Sequence, residues 1–393
     1  MKLKISDDTL IVFIYILSSL MLLGQFMGIS LLTSFAFSVH FIVVFLLWLL
    51  HIRKVRVLDI LSIFIIILSL VGVVVTYTTL SASYFNNWLM FAAVFLYFSV
   101  CIKIKLKKAT VKTLFIINFA VSTCCLLLYF LRYNDIFYTT NMGVKYLIFN
   151  FYNPNSLALF LVIITIIGMQ FFSLYKVKFG LLMEICFVGI FVFLIVQTLS
   201  RTSLLVILFF IIISIIFARR KYYYLPKNSI FKTIVTLFPI LFAGIYMLVI
   251  DIINKNGILS FLVSEGKGLD SRQYVWSYAF DLFKESPFIG SYGFLATSSE
   301  FSQMHNSHIN VLVSYGFIVF VLTLIFLYIV LKDSIIKSSG NKTALSVWGF
   351  IVCLMLGAGE AILFSGGLSF YLLVGQLLLI SNASVKDEGE LNL

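Results

Sequence analysis

Twelve apolar runs, each near the length of a membrane span, dominate this chain. They fall at roughly 9–28, 31–50, 58–77, 84–102, 111–131, 155–175, 180–199, 202–218, 231–250, 308–331, 344–363 and 365–380. About 20 apolar residues in a helix cross the hydrocarbon of a bilayer. Backbone polar groups find no water there, so such runs are expected to be helices. The stretches 180–218 and 344–380 are nearly continuous, so each is expected to turn tightly at a membrane surface. The expected fold is an all-α polytopic membrane protein of about 12 transmembrane helices, with 1–393 as a single integral membrane domain.

Composition removes the other classes. Of 393 residues, 62% are hydrophobic and 11% charged, whereas a soluble domain is about one quarter charged. A soluble enzyme, a disordered chain and a coiled-coil rod are excluded. The five cysteines sit in or beside apolar runs without metal-ligand spacing.

The net charge of +12 would suggest nucleic acid in a soluble protein. Here it has a topological meaning. With Lys2 and Lys4 on the cytoplasmic side, 21 of the 28 Lys and Arg fall in cytoplasmic segments and alternate with the runs throughout. That pattern predicts both termini inside and no nucleic-acid partner. The first run is too long for a signal-peptide core and ends without an A-x-A-like site, so it reads as an uncleaved signal anchor.

The outer side carries two long segments, 132–154 and 251–307. The second, of about 57 residues, is too short for an independent catalytic domain, so chemistry must be shared between loop and helix ends. Within it, Asp270-Ser271-Arg272-Gln273-Tyr274-Val275-Trp276 begins a short amphipathic helix that Ser286-Pro287 ends. Arg272 and Trp276 are four apart and share a face. The helix is expected to lie on the outer membrane surface, with Trp276 as an interfacial anchor or, second, a sugar-stacking platform.

A turn, Pro287-Phe288-Ile289-Gly290-Ser291-Tyr292-Gly293, follows, and then His305-Asn306-Ser307-His308 enters the tenth run. Ser200-Arg201-Thr202 places an arginine in the tight turn between two apolar runs, which is costly unless it reaches water or an anion. Asn153-Pro154-Asn155 opens the sixth run, where Asn as a cap and Pro in the first turn suffice as explanation. Glu360 falls near the outer end of the eleventh run.

Four of these patterns occur in a telling order: Ser200-Arg201 opening a helix, Arg272-x3-Trp276, Pro287-x2-Gly290, and His305-Asn306-x2-Ile309-x2-Leu312-x3-Gly316. Together they resemble the bacterial O-antigen ligase and O-antigen or capsular polysaccharide polymerase superfamily, from about residue 150 to 330. The resemblance implies a glycan donor on a polyprenyl diphosphate, usually undecaprenyl diphosphate. It implies metal-independent transfer, without cofactor, on the outer face of the bacterial cytoplasmic membrane. A polymerase extends by moving the growing chain to a new lipid-linked repeat unit. A ligase moves the glycan to a lipid A core sugar. The implied partners are the lipid-linked donor and acceptor, membrane lipids, a chain-length regulator and a flippase.

The residue types suit that chemistry on their own terms. A diphosphate leaving group needs charge stabilisation, and arginine offers paired donors and a permanent charge. Arg201 and Arg272 are the candidate clamps. A sugar hydroxyl attacking as nucleophile benefits from a general base, and His305 is the best candidate. Asn306, Trp276, His308 and Glu360 are candidate supporting residues, with His308 more readily structural. The plainer alternatives are a headgroup anchor for Arg201, a solvated charge for Arg272 and a helix cap for His305-Asn306. A lipid-linked glycan transporter is the competing class. It would carry polar groups at mid-membrane, whereas these mid-run segments are apolar.

Overall fold

The computed structural model describes residues 6–52, 55–76, 82–131, 137–139, 145–148, 154–175, 177–219, 227–256, 270–292, 304–338, 341–360, 364 and 370–383. Asn153, Gly293 and the stretches 257–269, 293–303 and 365–369 lie outside them. The helices are α1 (Asp7–Met27), α2 (Ser30–His51), α3 (Val57–Thr76), α4 (Ala82–Cys101), α5 (Lys108–Leu131), α6 (Pro154–Leu174) and α7 (Gly180–Gln197). They continue with α8 (Arg201–Arg219), α9 (Ser229–Asn256), α10 (Asp270–Glu285), α11 (Ser307–Lys337), α12 (Asn341–Leu356) and α13 (Phe370–Ser381). The one addition to an all-helical architecture among the described residues is a small antiparallel hairpin. It pairs β1 (Phe137–Thr139) with β2 (Lys145–Leu147), setting Tyr138 opposite Tyr146.

Each of the twelve apolar runs carries a helix, and α10 is the short helix expected in the outer segment. Among the described residues, seven helices are long and apolar enough to cross a membrane: α1, α3, α5, α6, α7, α9 and α11. Apolar stretches of 10–17 residues lie in α2, α4, α8, α12 and α13.

Burial is arranged inside out relative to a soluble protein. The centre is built from α4, α6, α12 and α13, and every residue of α13 is buried. The surrounding helices expose large apolar side chains, among them Leu50, Ile67, Phe130, Leu182, Leu205 and Leu248. A surface so apolar is stable only against hydrocarbon.

Two features at one end of the molecule prepare the site. The run 344–363 is not one helix, and here the sequence expectation needs correction. α12 ends at Leu356, and the amides of Gly357, Ala358 and Gly359 fold back in i→i+3 bonds to Leu354, Met355 and Leu356. A Cβ on Gly359 would lie 2.7 Å from Thr202 Cγ2, so only glycine admits the start of α8 this closely.

The second feature is a break in α11 at Gly316, with φ 82° and ψ 174°. Residues 287–291 lie against that break. Phe317 N–H donates to Pro287 O at 2.7 Å, and Ser291 N–H donates to Val313 O at 2.7 Å. Gly290 also has φ 82°, and a Cβ there would fall 2.4 Å from Ser314 O. A Cβ on Gly316 would fall 2.2 Å from Phe288 O. The Pro-x2-Gly motif and the distant Gly316 are therefore two halves of one backbone-to-backbone contact.

Candidate active site

Three side chains from three segments meet at this end: Arg272 from the first turn of α10, His305 just before α11, and Glu360 just after α12. Glu360 Oε2 is 3.1 Å from His305 Nδ1. Its Oε1 is 3.6 Å from the Arg272 guanidinium, beyond hydrogen-bond length. The Glu360 side chain is 6% exposed, while Arg272 and His305 are 26% and 30% exposed. A buried carboxylate thus stands behind two groups that face outward.

The backbone delivers His305 in an unusual way. Its φ is +46°, in the left-handed region, which costs a non-glycine residue about 1–2 kcal/mol. Neighbours on both sides hold it there. Asn306 is fully buried and caps α11, accepting from the amides of His308 and Ile309. Its side-chain amide donates to Pro239 O at 2.8 Å and Ala358 O at 3.1 Å. Those four bonds use the whole capacity of an Asn side chain. Ser307 adds an amide bond to Gly357 O and a hydroxyl bond to Glu360 O. On the other side, the Trp276 indole N–H donates to Met304 O at 2.8 Å.

Trp276 corrects an expectation. It is not an interfacial anchor or a sugar platform, because its exposure is 0%. It packs with Ala243, Ala279, Met304 and Ile309 in a small core between α9, α10 and α11, with Tyr246 edge-on at 5.4 Å. Helix α10 is therefore docked on α9 and α11 through its Trp276 face. Arg272 and Trp276 do share a face, and that face meets the site: one reaches Glu360 and the other the backbone next to His305.

His308 is also placed inside, at 3% exposure. Its Nε2 lies 2.7 Å from Thr236 O, and a carbonyl only accepts, so Nε2 holds the proton. Pro239 interrupts the α9 ladder, and the carbonyls of Thr236 and Pro239 take donors from His308 and Asn306. His308 thus ties α11 to α9, and His305 is the more exposed of the two histidines.

Arg201 begins α8 and is exposed, and no ion pair of Arg201 is seen among the described residues. The preceding turn is tight. Leu199 has φ +55°, Thr198 Oγ1 accepts from Ser200 N–H at 3.3 Å, and Ser200 Oγ donates to Ser203 Oγ at 3.0 Å. Thr202 packs against Gly359, so Arg201 flanks a residue that touches the Glu360 turn.

Residues 186–324 match the model of the O-antigen ligase family. That match agrees with the O-antigen ligase and polymerase superfamily that the ordered motifs resemble. It spans Arg201, Arg272, Trp276, His305, Asn306 and His308, and stops before Glu360. No curated protein matches the chain. The family match and the apolar helices indicate a multi-pass membrane protein with a glycosyltransferase-like activity of the ligase and polymerase type.

In chemical terms the corner is asymmetric. An ionised carboxylate only accepts, so Glu360 favours the tautomer with the proton on Nδ1 of His305. Neutral His305 then presents a lone pair at Nε2, as in other base–carboxylate pairs. Among the described residues, Arg272 is held nearby by a long contact that leaves its donors largely unused. Sequence reasoning placed Glu360 only by its position near a span end. The signal for its role was the Gly357-Ala358-Gly359 break just before it.

Proposed function

We propose that the chain is a polysaccharide polymerase of the bacterial cytoplasmic membrane. It transfers a glycan from a polyprenyl diphosphate to a sugar hydroxyl of another lipid-linked repeat unit. The observation that carries this is the convergence of Arg272, Glu360 and His305 at one end of an apolar helical frame. Five of the six matched site residues, together with Glu360, lie at or beside this corner, and Arg201 opens a helix that abuts it.

His305, oriented by Glu360, takes the proton from the acceptor hydroxyl as the oxygen attacks the donor's anomeric carbon. The bond from that carbon to the diphosphate breaks, and Arg201 and Arg272 stabilise the charge left on the phosphates. The mechanism asks for neither metal nor cofactor, because the arginines supply the positive charge. Asn306, Trp276 and His308 act through structure, by fixing the backbone around His305.

The same assignment puts the site on the extracytoplasmic face of a twelve-span chain with both termini inside. Two clusters support it. Residues 201–202, 270–292, 304–308 and 357–360 gather at one end, while Asp59, Lys103, Lys337 and Asn382 gather at the other with the basic loops. The lipid-linked donor and acceptor come from the membrane, with a flippase supplying repeat units and a chain-length regulator as a further partner. Transfer to a lipid A core sugar is the second form of this chemistry, favoured by the ligase description of the matched family.

In cells whose only copy is His305→Ala, repeat units should still be made and exported while chain elongation stops. Gel analysis of the polysaccharide and mass spectrometry of extracted lipids read this out. One repeat unit per lipid carrier is the expected species. Long polymer of normal length would overturn the assignment, and accumulation of complete polymer on the carrier would select the ligase form.

A further inference from the structure

The orientation of His305 depends on where the peptide plane before it lies. That plane contains the Met304 carbonyl and the His305 amide. Rotation about the next bond is φ of His305, held at +46°. The side-chain hydrogen bond on that carbonyl comes from the Trp276 indole N–H, at 2.8 Å, from a ring with 0% exposure. Trp276 lies one helical turn beyond Arg272 on the same face of α10.

We propose that Trp276 is a positioning residue for His305. Through the Met304 carbonyl it couples the docking of α10, which carries Arg272, to the direction in which the imidazole points. This rests on the assignment of His305 as the base. The Arg-x3-Trp spacing then has one cause: a single helical turn of α10 sets both the phosphate clamp and the base. The ring fills the pocket among Ala243, Ala279 and Ile309, and the N–H performs the positioning.

The two contributions separate experimentally. Benzothienylalanine at position 276 keeps the shape of the bicyclic ring and replaces the N–H by sulfur. Trp276→Phe removes the N–H with part of the ring and serves as the second variant. The full-length protein in nanodiscs is assayed with lipid-linked repeat units extracted from cells lacking it. Loss of the bond should lower turnover about tenfold or more, since small misplacements of a reacting group are costly. The half-saturating donor concentration should stay the same, while the melting temperature of the benzothienylalanine protein should fall only by what the loss of one buried hydrogen bond costs. In a His305→Ala background the change at 276 should cost nothing further, because groups acting as one unit are non-additive.

An equal loss in both backgrounds, or no loss in either, overturns the positioning role. His305→Ala protein with full activity would instead overturn the base assignment, whatever position 276 does.

Discussion

Two charged clusters sit at opposite ends of this molecule, and they are built on opposite plans. At the end away from the candidate site, Asp59 is 0% exposed and Lys103 6% exposed, with Nζ 2.5 and 2.6 Å from the two carboxylate oxygens. Ser99 donates to one oxygen and the Arg56 amide to the other, while Lys103 also reaches His51 O. Every strong bond that the pair can make there is made. At the other end, Glu360 is nearly as buried, but among the described residues one oxygen has only the 3.6 Å approach of Arg272 and the other faces a histidine that is 30% exposed. A saturated ion pair locks helices together, whereas an unsaturated one leaves donors and lone pairs for a substrate. Burial alone does not distinguish the two; completeness of bonding does.

That contrast can be broken at several points. The largest effect is expected at His305→Ala, which should cut transfer about 10²- to 10⁴-fold, the usual worth of a positioned general base. Its melting temperature in detergent should hardly move. Asp59→Ala should behave in the opposite way. It strands Lys103 in an apolar interior, a loss of about 3–5 kcal/mol, visible as a lower melting temperature. Transfer per folded molecule should stay near that of the parent protein. If Asp59→Ala abolished transfer in fully folded protein, the division between a structural and a chemical end would fall.

Glu360→Gln is the intermediate case. The amide keeps the shape but weakens the hold on His305, so a loss of roughly 10- to 100-fold in rate is expected, with stability nearly retained. A collapse in stability would make Glu360 a structural ion pair like Asp59. The smallest effect belongs to Lys284→Ala. Its contact with Asp281 is 2.8 Å, but both side chains are at least 67% exposed, and such pairs contribute little. Neither melting nor transfer should change measurably.

Much of the fold was legible from hydropathy, because each apolar run has to become a helix once water is absent. Arg272, Trp276 and His305 were also legible as residue types at telling spacings. Their roles were less so. Trp276 resembled an anchor because a lone amphipathic helix beside a membrane normally lies on it, and only the packing of α10 onto α9 and α11 puts the ring inside. The carboxylate was hardest to see. Residues 344–363 score as one apolar run, so the helix end at Leu356 is invisible to hydropathy. What ends the helix is a set of long-range partners, Asn306, Ser307 and Thr202, which receive the carbonyls and the glycine surface. Likewise Gly316 becomes interpretable only when Phe288 is known to lie against it.

The interlock between residues 287–291 and the break in α11 has a consequence for biogenesis. In a hydrocarbon setting an unbonded peptide group costs several kcal/mol. The Val313 carbonyl and the Phe317 amide receive their partners from Ser291 and Pro287, which leave the ribosome first. Those two groups are each other's partners in an unbroken helix, so a freshly made α11 can stay straight until residues 287–291 pair with both. The order of synthesis supplies residues 287–291 first, so the break at Gly316 forms against the chain's own upstream segment.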